Sequence, residues 1–230
     1  MNYTYLLINF FVILIPLIYT FHPRLKFFKQ YPSFFFSTFL VGIIFVVWDI
    51  YFTQNGYWGF NPNYITGIHI FSLPIEEVLF FFCIPYACVF TYHVLECVFP
   101  VNEHRYAKRY SILFSITLIA LGTLFLGKWY TSITFISLSV VVLIGVYLVN
   151  VTKFYRAYLI LMIPFIITNG ILTGSCIEDQ VVWYNDNYNL GFRIFTIPVE
   201  DVFYGMLLLF SNVIIYELLR KSIFKRVGEH

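Results

Sequence analysis

Residues 67–77 read GIHIFSLPIEE and residues 191–201 read GFRIFTIPVED. Each segment ends in two acids, Glu76–Glu77 and Glu200–Asp201, and each leads into a long apolar run. An acid in an apolar site can hold a proton at neutral pH and deliver it, and a second carboxyl nearby strengthens the effect. Placing a carboxylate inside a bilayer costs roughly 2.5–3.5 kcal/mol on insertion scales, so two duplicated pairs need a reason. One reason is structural. Ser72 and Thr196 stand where N-caps would, Pro74 and Pro198 suit a first turn, and acids complement a helix N-terminus. Duplication, with a matching polar loop before each pair, favours chemistry instead. Neighbouring helical residues point about 100° apart. One acid of each pair is therefore expected to reach a central cavity and the other to meet a partner such as His69 or Arg193; spacing alone leaves open which. Asp49 and Asn169 are the other buried polar candidates, with an interhelical hydrogen bond as the plainer role for Asn169.

These acids need helices to carry them. The chain has 230 residues, of which 60% are hydrophobic and 11% charged. A soluble domain is usually about 25% charged, and a chain of this size cannot bury so much apolar surface in itself. Apolar stretches near 3–21, 34–52, 73–95, 110–128, 132–150, 157–175 and 197–219 are each about long enough to cross a bilayer. The expected fold is all-α: a polytopic membrane protein of about seven transmembrane helices. The first stretch lacks a basic leader and a small-residue cleavage site, so it is expected to be a retained helix.

Basic residues set the orientation. Twelve of the 14 fall on one face: Arg24, Lys26, Lys29, Arg105, Lys108, Arg109, Lys153, Arg156, Arg220, Lys221, Lys225 and Arg226. Only Lys128 and Arg193 fall on the other. The first face is expected to be cytoplasmic, with the N-terminus outside and the C-terminus inside. The outer face carries two similar connections, NGYWGFNPNY and VVWYNDNYNLGF, and Trp48, Trp58, Trp129 and Trp183 all lie near it.

An offset of 124 carries Gly67 onto Gly191, Pro74 onto Pro198, Glu76 onto Glu200, Glu77 onto Asp201 and Phe80 onto Tyr204. With a small gap, Trp48-Asp49 lies over Thr168-Asn169. This duplication implies two three-helix parallel repeats, spans 1–3 and 5–7, joined by a linking helix. The expected units are 1–100, 101–130 and 131–230. Span 4 restores the direction, so both acidic motifs sit at the same face.

Several chemistries lack their residues. No GxGxxG opens a helix after a strand, and no GxSxG, HExxH or P-loop occurs. No DDxxD-type motif is present to hold magnesium diphosphate. A retinal protein would need a lysine in the last span, and Lys221 lies beyond it. Cys83, Cys88, Cys97 and Cys176 form no CxxC pair and read as small packing residues.

The two PxE(E/D) motifs, PIEE at 74–77 and PVED at 198–201, resemble those of the small membrane-integral lycopene cyclases. That family occurs as two separate small subunits in some actinobacteria and as the cyclase part of fungal bifunctional carotenoid enzymes. Here both halves lie in one chain. The resemblance extends to WD at 48–49, the NGYWGFN loop and TNG at 168–170, and so covers nearly the whole length. It implies a lycopene β-cyclase, an intramolecular lyase or isomerase, converting lycopene through one-ringed γ-carotene to β-carotene without net redox change and without flavin or any other cofactor. It also implies association with membrane lipid and with other carotenoid-pathway enzymes, and a bacterial cytoplasmic membrane as the location. Glu76, Glu77, Glu200, Asp201 and Asp49 are then the candidate catalytic carboxyls. Trp48, Trp58, Phe80, Asn169 and Tyr204 are the candidate substrate contacts, with lipid-facing filler as the plainer role for the aromatics; aromatic faces stabilise a cation by roughly 0.5–2 kcal/mol each. No metal site is expected. A small transporter or proton channel using the acids as a relay is the alternative. It predicts a polar path across the whole bilayer, whereas spans 4 and 5 carry no ionisable residue in their interiors.

Overall fold

A computed structural model describes residues 3–227, with side chains described to residue 222. Seven helices dominate: α1 (Thr4–Tyr19), α2 (Tyr31–Gln54), α3 (Ile75–Val98), α4 (Ala107–Leu124), α5 (Trp129–Leu148), α6 (Val151–Leu172) and α7 (Val199–Val227). The six from α2 onward are long and apolar enough to cross a membrane. α1 has 16 residues, which at 1.5 Å per residue is about 24 Å, short of a ~30 Å hydrocarbon core. It packs along α3 and buries Tyr5 and Asn9 there.

Some helix ends differ from the apolar stretches. α6 begins at Val151 because the Asn150 side chain accepts the Lys153 N–H, a cap that hydropathy does not register. The cap expectation for Ser72 and Thr196 is corrected. Pro74 precedes α3 with no side-chain cap. Ser72 instead donates to the Ile50 carbonyl at 3.4 Å, and Thr196 exchanges hydrogen bonds with Thr173 and Ser175 at 2.8 and 2.7 Å. Both hydroxyls tie the acidic helix to its neighbour.

Two short hairpins deliver the acidic helices. β2 (His69–Ile70) pairs with β3 (Leu73–Pro74), and β5 (Arg193–Ile194) pairs with β6 (Ile197–Pro198). Phe71 and Phe195 turn them, with φ of 56° and 57°. The next residue then bonds back: Ile75 N–H to the Ile68 carbonyl at 2.8 Å, Val199 N–H to the Phe192 carbonyl at 3.0 Å.

The halves meet around an axis that passes through both ends of the bundle. At the hairpin end, β1 (Trp58–Phe60) pairs antiparallel with β4 (Val182–Tyr184), and Gly59 faces Trp183. At the tail end, the Arg220 guanidinium pairs with the Glu96 carboxylate. Both are pairs of residues 124 apart in sequence. Beside the second, Tyr92 donates to Glu217 at 2.9 Å, and Tyr216 sits 3.4 Å from His93 Nδ1, the same exchange with the halves reversed.

Gly59 is needed at this crossing, because a Cβ there would press into the Trp183 indole. Gly59→Ala is expected to cost about 1–3 kcal/mol of stability through overpacking. A lower unfolding midpoint in detergent, with the protein still inserted in the membrane, checks it.

Candidate active site

A cavity of about 130 Å³ opens between α3, α6 and α7. β1 and β4 cover its hairpin end through Trp58, Phe60, Val182 and Tyr184. α6 contributes one stripe, Tyr158, Leu161, Phe165, Thr168, Asn169 and Leu172, the i, i+3, i+4 spacing of a single helical face. The inner wall is Ile84, Ala87, Cys88, Tyr158, Leu161, Leu208 and Leu209. Its lining runs about 16 Å along α3, from Glu77 to Cys88, and about 21 Å along α6, from Tyr158 to Leu172.

Three carboxyls, Asp49, Glu77 and Asp201, lie in this wall, all at the hairpin end and all buried. Their surroundings differ. Asp201 accepts three hydrogen bonds: from Tyr130 at 2.6 Å, Tyr184 at 2.9 Å and the Asn169 amide at 2.8 Å. Three donors fix the orientation of this one carboxyl group. Glu77 accepts from the Tyr5 hydroxyl. Asp49 accepts from the Trp58 indole and is an electrostatic neighbour of Glu77; its Oδ2 has no protein partner. Two neighbouring carboxyls with so few donors would repel each other in an apolar chamber if both were charged, and one shared proton would remove that repulsion.

The duplication explains the difference. Asn169 holds in the second half the place that Asp49 holds in the first. There an amide donates to the acid of α7. Here a carboxyl faces the acid of α3 and has no N–H to give. Tyr184, on β4, reaches across: it bonds Asp201 and feels the charges of Glu77 and Asp49. Burial, then the Asp201 charge, holds its phenol proton well above the usual tyrosine range, so Tyr184 stays a donor.

The other acid of each pair points away. Glu76 and Glu200 are fully buried but do not line the chamber. Glu76 accepts the Thr66 N–H at 2.6 Å, and Glu200 accepts the Leu190 N–H at 2.8 Å and the Thr131 hydroxyl at 2.5 Å. Each fastens the loop ten residues before it. Neither meets His69, whose ring is 3.0 Å from the Gly67 carbonyl, nor Arg193, which pairs with Asp186 at 2.7 Å.

Of the other expected contacts, Trp58, Phe80, Asn169 and Tyr204 line the chamber. Trp48 stands behind it, stacked on Phe45 at 5.9 Å and edge-on to Tyr204 at 5.7 Å. Tyr5, Tyr130 and Tyr184, which hold the carboxyls, were not legible as site residues. The repeat carried a signal for two of them, since Tyr5 and Tyr130 occupy matching places in α1 and α5, 125 apart.

A bundle of apolar helices closed around a buried acidic chamber defines a polytopic membrane protein. A model of one family, described as lycopene cyclase, matches residues 2–95 and again residues 127–219. The chain belongs to the lycopene cyclase family, and so is an enzyme of carotenoid biosynthesis with a carotenoid substrate. Neither curated proteins nor solved structures yield a match.

Proposed function

We propose that this protein is a lycopene β-cyclase, an acid-catalysed isomerase that folds each linear end of lycopene into a ring. The observation that carries the reading is the neighbouring Asp49 and Glu77 carboxyls, beside a hydrogen-bonded Asp201, in a chamber whose remaining lining is mostly aromatic and aliphatic.

The acid of the Asp49–Glu77 pair gives its proton to the terminal double bond of the substrate. A tertiary cation forms at the neighbouring carbon. An internal double bond attacks it, closing the ring and moving the charge to a ring carbon. Loss of a ring proton leaves the new double bond. One proton enters and one leaves, so nothing is oxidised or reduced. Asp201, held in place by Tyr130, Tyr184 and Asn169, receives the departing proton or steadies the cation. Trp58, Phe80 and Tyr204 present ring faces and edges to the transient charge. The apolar inner wall excludes water that would trap the cation. At that end the Tyr158 hydroxyl is committed to the Val202 carbonyl, and no carboxyl or histidine lines it, which disfavours proton conduction.

The chain is proposed to sit in a bacterial cytoplasmic membrane, N-terminus outside, as repeats 1–100 and 131–230 joined through 101–130. The matched hairpins and the paired positions 124 apart support that division. A reporter active only in the cytoplasm should work when fused after Arg226 and stay silent in the loop at 53–65; the reverse result would invert the orientation.

Expression in a lycopene-accumulating bacterium, followed by pigment analysis, tests the function. Ringed products are expected. Unchanged lycopene beside membrane-inserted protein would refute the reading. Purified protein in lipid is also expected to work without added flavin or metal and in the presence of a chelator, since no dinucleotide or metal-ligand spacing occurs in the chain.

A further inference from the structure

A second cavity, of about 200 Å³, lies between α1, α2 and α3, with no carboxyl in its wall. Ile13 and Leu17 of α1, Thr38 of α2, and Phe82 and Cys83 of α3 line it. Leu17 and Phe35, also in the wall, are about half exposed, so the cavity opens sideways between α1 and α2 into the surrounding lipid.

The matching positions of the second half are packed shut. Ile13 and Leu17 fall on Leu138 and Val142, 125 residues on; Thr38 falls on Tyr158, 120 on; Cys83 falls on Leu207, 124 on. All four counterparts are buried. The Tyr158 ring stacks on Phe154 at 5.8 Å, and its hydroxyl donates to the Val202 carbonyl. In the first half a threonine and a cysteine stand where the second has a tyrosine and a leucine, and the volume they give up is cavity. The Thr38 hydroxyl is left buried with no protein partner. Buried polar groups are normally hydrogen-bonded, so this one calls for an acceptor that a ligand brings in.

The loop between α1 and α2 closes the tail end of the cavity. Its Phe27 is fully buried and packs 5.9 Å from Phe34 and 6.0 Å from Tyr86, both in the cavity wall. Around Phe27 the loop exposes Arg24, Lys26 and Lys29. None of the three pairs with an acid among the described residues. Cations beside a membrane surface attract anionic headgroups. An apolar slot open to lipid, an unanswered hydroxyl inside it and unpaired cations at its foot match the chain, the ester and the phosphate of one molecule.

We infer that the protein holds one anionic phospholipid between α1 and α2. An acyl chain fills the cavity, an ester carbonyl accepts from Thr38, and the phosphate meets Arg24, Lys26 and Lys29. The chain completes a wall that the second half builds from its own side chains. It also holds in place α1, the helix whose Tyr5 reaches Glu77.

The test uses the full-length protein, stripped of lipid in detergent and followed by native mass spectrometry. The probes are phosphatidylglycerol, phosphatidylcholine with the same chains, and inorganic phosphate. One phosphatidylglycerol is expected to bind, at least about tenfold tighter than phosphatidylcholine, while inorganic phosphate is not retained. Neutralising the loop with Arg24→Gln, Lys26→Gln and Lys29→Gln should bring the two phospholipids within about twofold of each other. Thr38→Tyr with Cys83→Leu, which copies the second half, should abolish retention of either. A phosphatidylglycerol with a photoreactive group along one acyl chain needs no substitution, and should label the unaltered protein on the peptides that carry Thr38 or Cys83. Equal binding of the two phospholipids, labelling confined to other helices, or lipid retained by a folded Thr38→Tyr, Cys83→Leu protein would overturn the inference. Lycopene displacing the lipid from this cavity, or phosphate binding without chains, would overturn it too. None of these outcomes bears on the cyclase reading.

Discussion

Glu77→Gln is expected to reduce cyclisation by about 10²-fold or more, the usual range for losing a general acid. Glutamine keeps the size of the side chain and can still accept from Tyr5, so the fold should hold. It cannot carry a proton to a double bond. Asp49→Asn should do comparable damage by a related route. It recreates the second-half arrangement, in which an amide donates to the facing acid, and it removes the need for a shared proton. Asp201→Asn is expected to slow the reaction as well, by removing the proton acceptor that Tyr130, Tyr184 and Asn169 hold in place. Glu76→Gln and Glu200→Gln should behave differently. They loosen buried loop contacts, so protein yield and melting should fall while the rate per folded molecule stays largely intact. Rates measured per folded molecule in vesicles separate the two groups. Near-normal rates for Glu77→Gln, Asp49→Asn and Asp201→Asn together would remove the chamber carboxyls from the chemistry.

Gly205→Phe should close the chamber from the opposite side. Gly205 lies in the wall, and a Cβ there would meet Phe165 at an ordinary 3.5 Å. A methyl group therefore fits, and Gly205→Ala should fold normally and retain most activity. Its counterpart 124 residues earlier, Phe81, is a buried ring, and a phenyl ring at position 205 would occupy the space of the substrate end. Overpacking costs about 1–3 kcal/mol. Felt by the bound substrate, that is about 5- to 150-fold in kcat/KM. The measurement is kcat/KM with the melting midpoint beside it. Full activity in a folded Gly205→Phe protein would show that the substrate end goes elsewhere.

Much of this architecture was legible in advance because membrane helices leave few choices. An apolar run of about 20 residues must form hydrogen bonds within itself, so it reads as a helix. The duplicated GxxIFxxPxE segments placed two acidic helices at the same depth, and the hairpins and loop fastenings repeat as that duplication implied. The role of each acid was not legible. Glu76 and Glu77 differ by one helical step, and which one faces inward depends on how α3 is rotated against α1 and α6. Tertiary packing sets that rotation. Ser72 and Thr196 looked like caps because cap propensity is local, whereas their hydroxyls answer carbonyls and hydroxyls of α2, of α6 and of the turn after α6. Two of the differences in the chamber wall, Thr168 for Trp48 and Gly205 for Phe81, can be named from the aligned halves. Their meaning appears only once both positions are seen to line the same space.

The central claim is that the chamber delivers a proton to a carbon–carbon double bond. The most direct measurement is a single turnover in deuterium oxide, with protein in excess over lycopene in vesicles equilibrated beforehand. The exchangeable proton of the Asp49–Glu77 pair would then be deuterium. Each new ring is predicted to carry one deuterium, on the carbon beside the dimethylated one, with no oxidant or reductant consumed. Rings formed without deuterium, or formed only when a redox partner is supplied, would contradict the account.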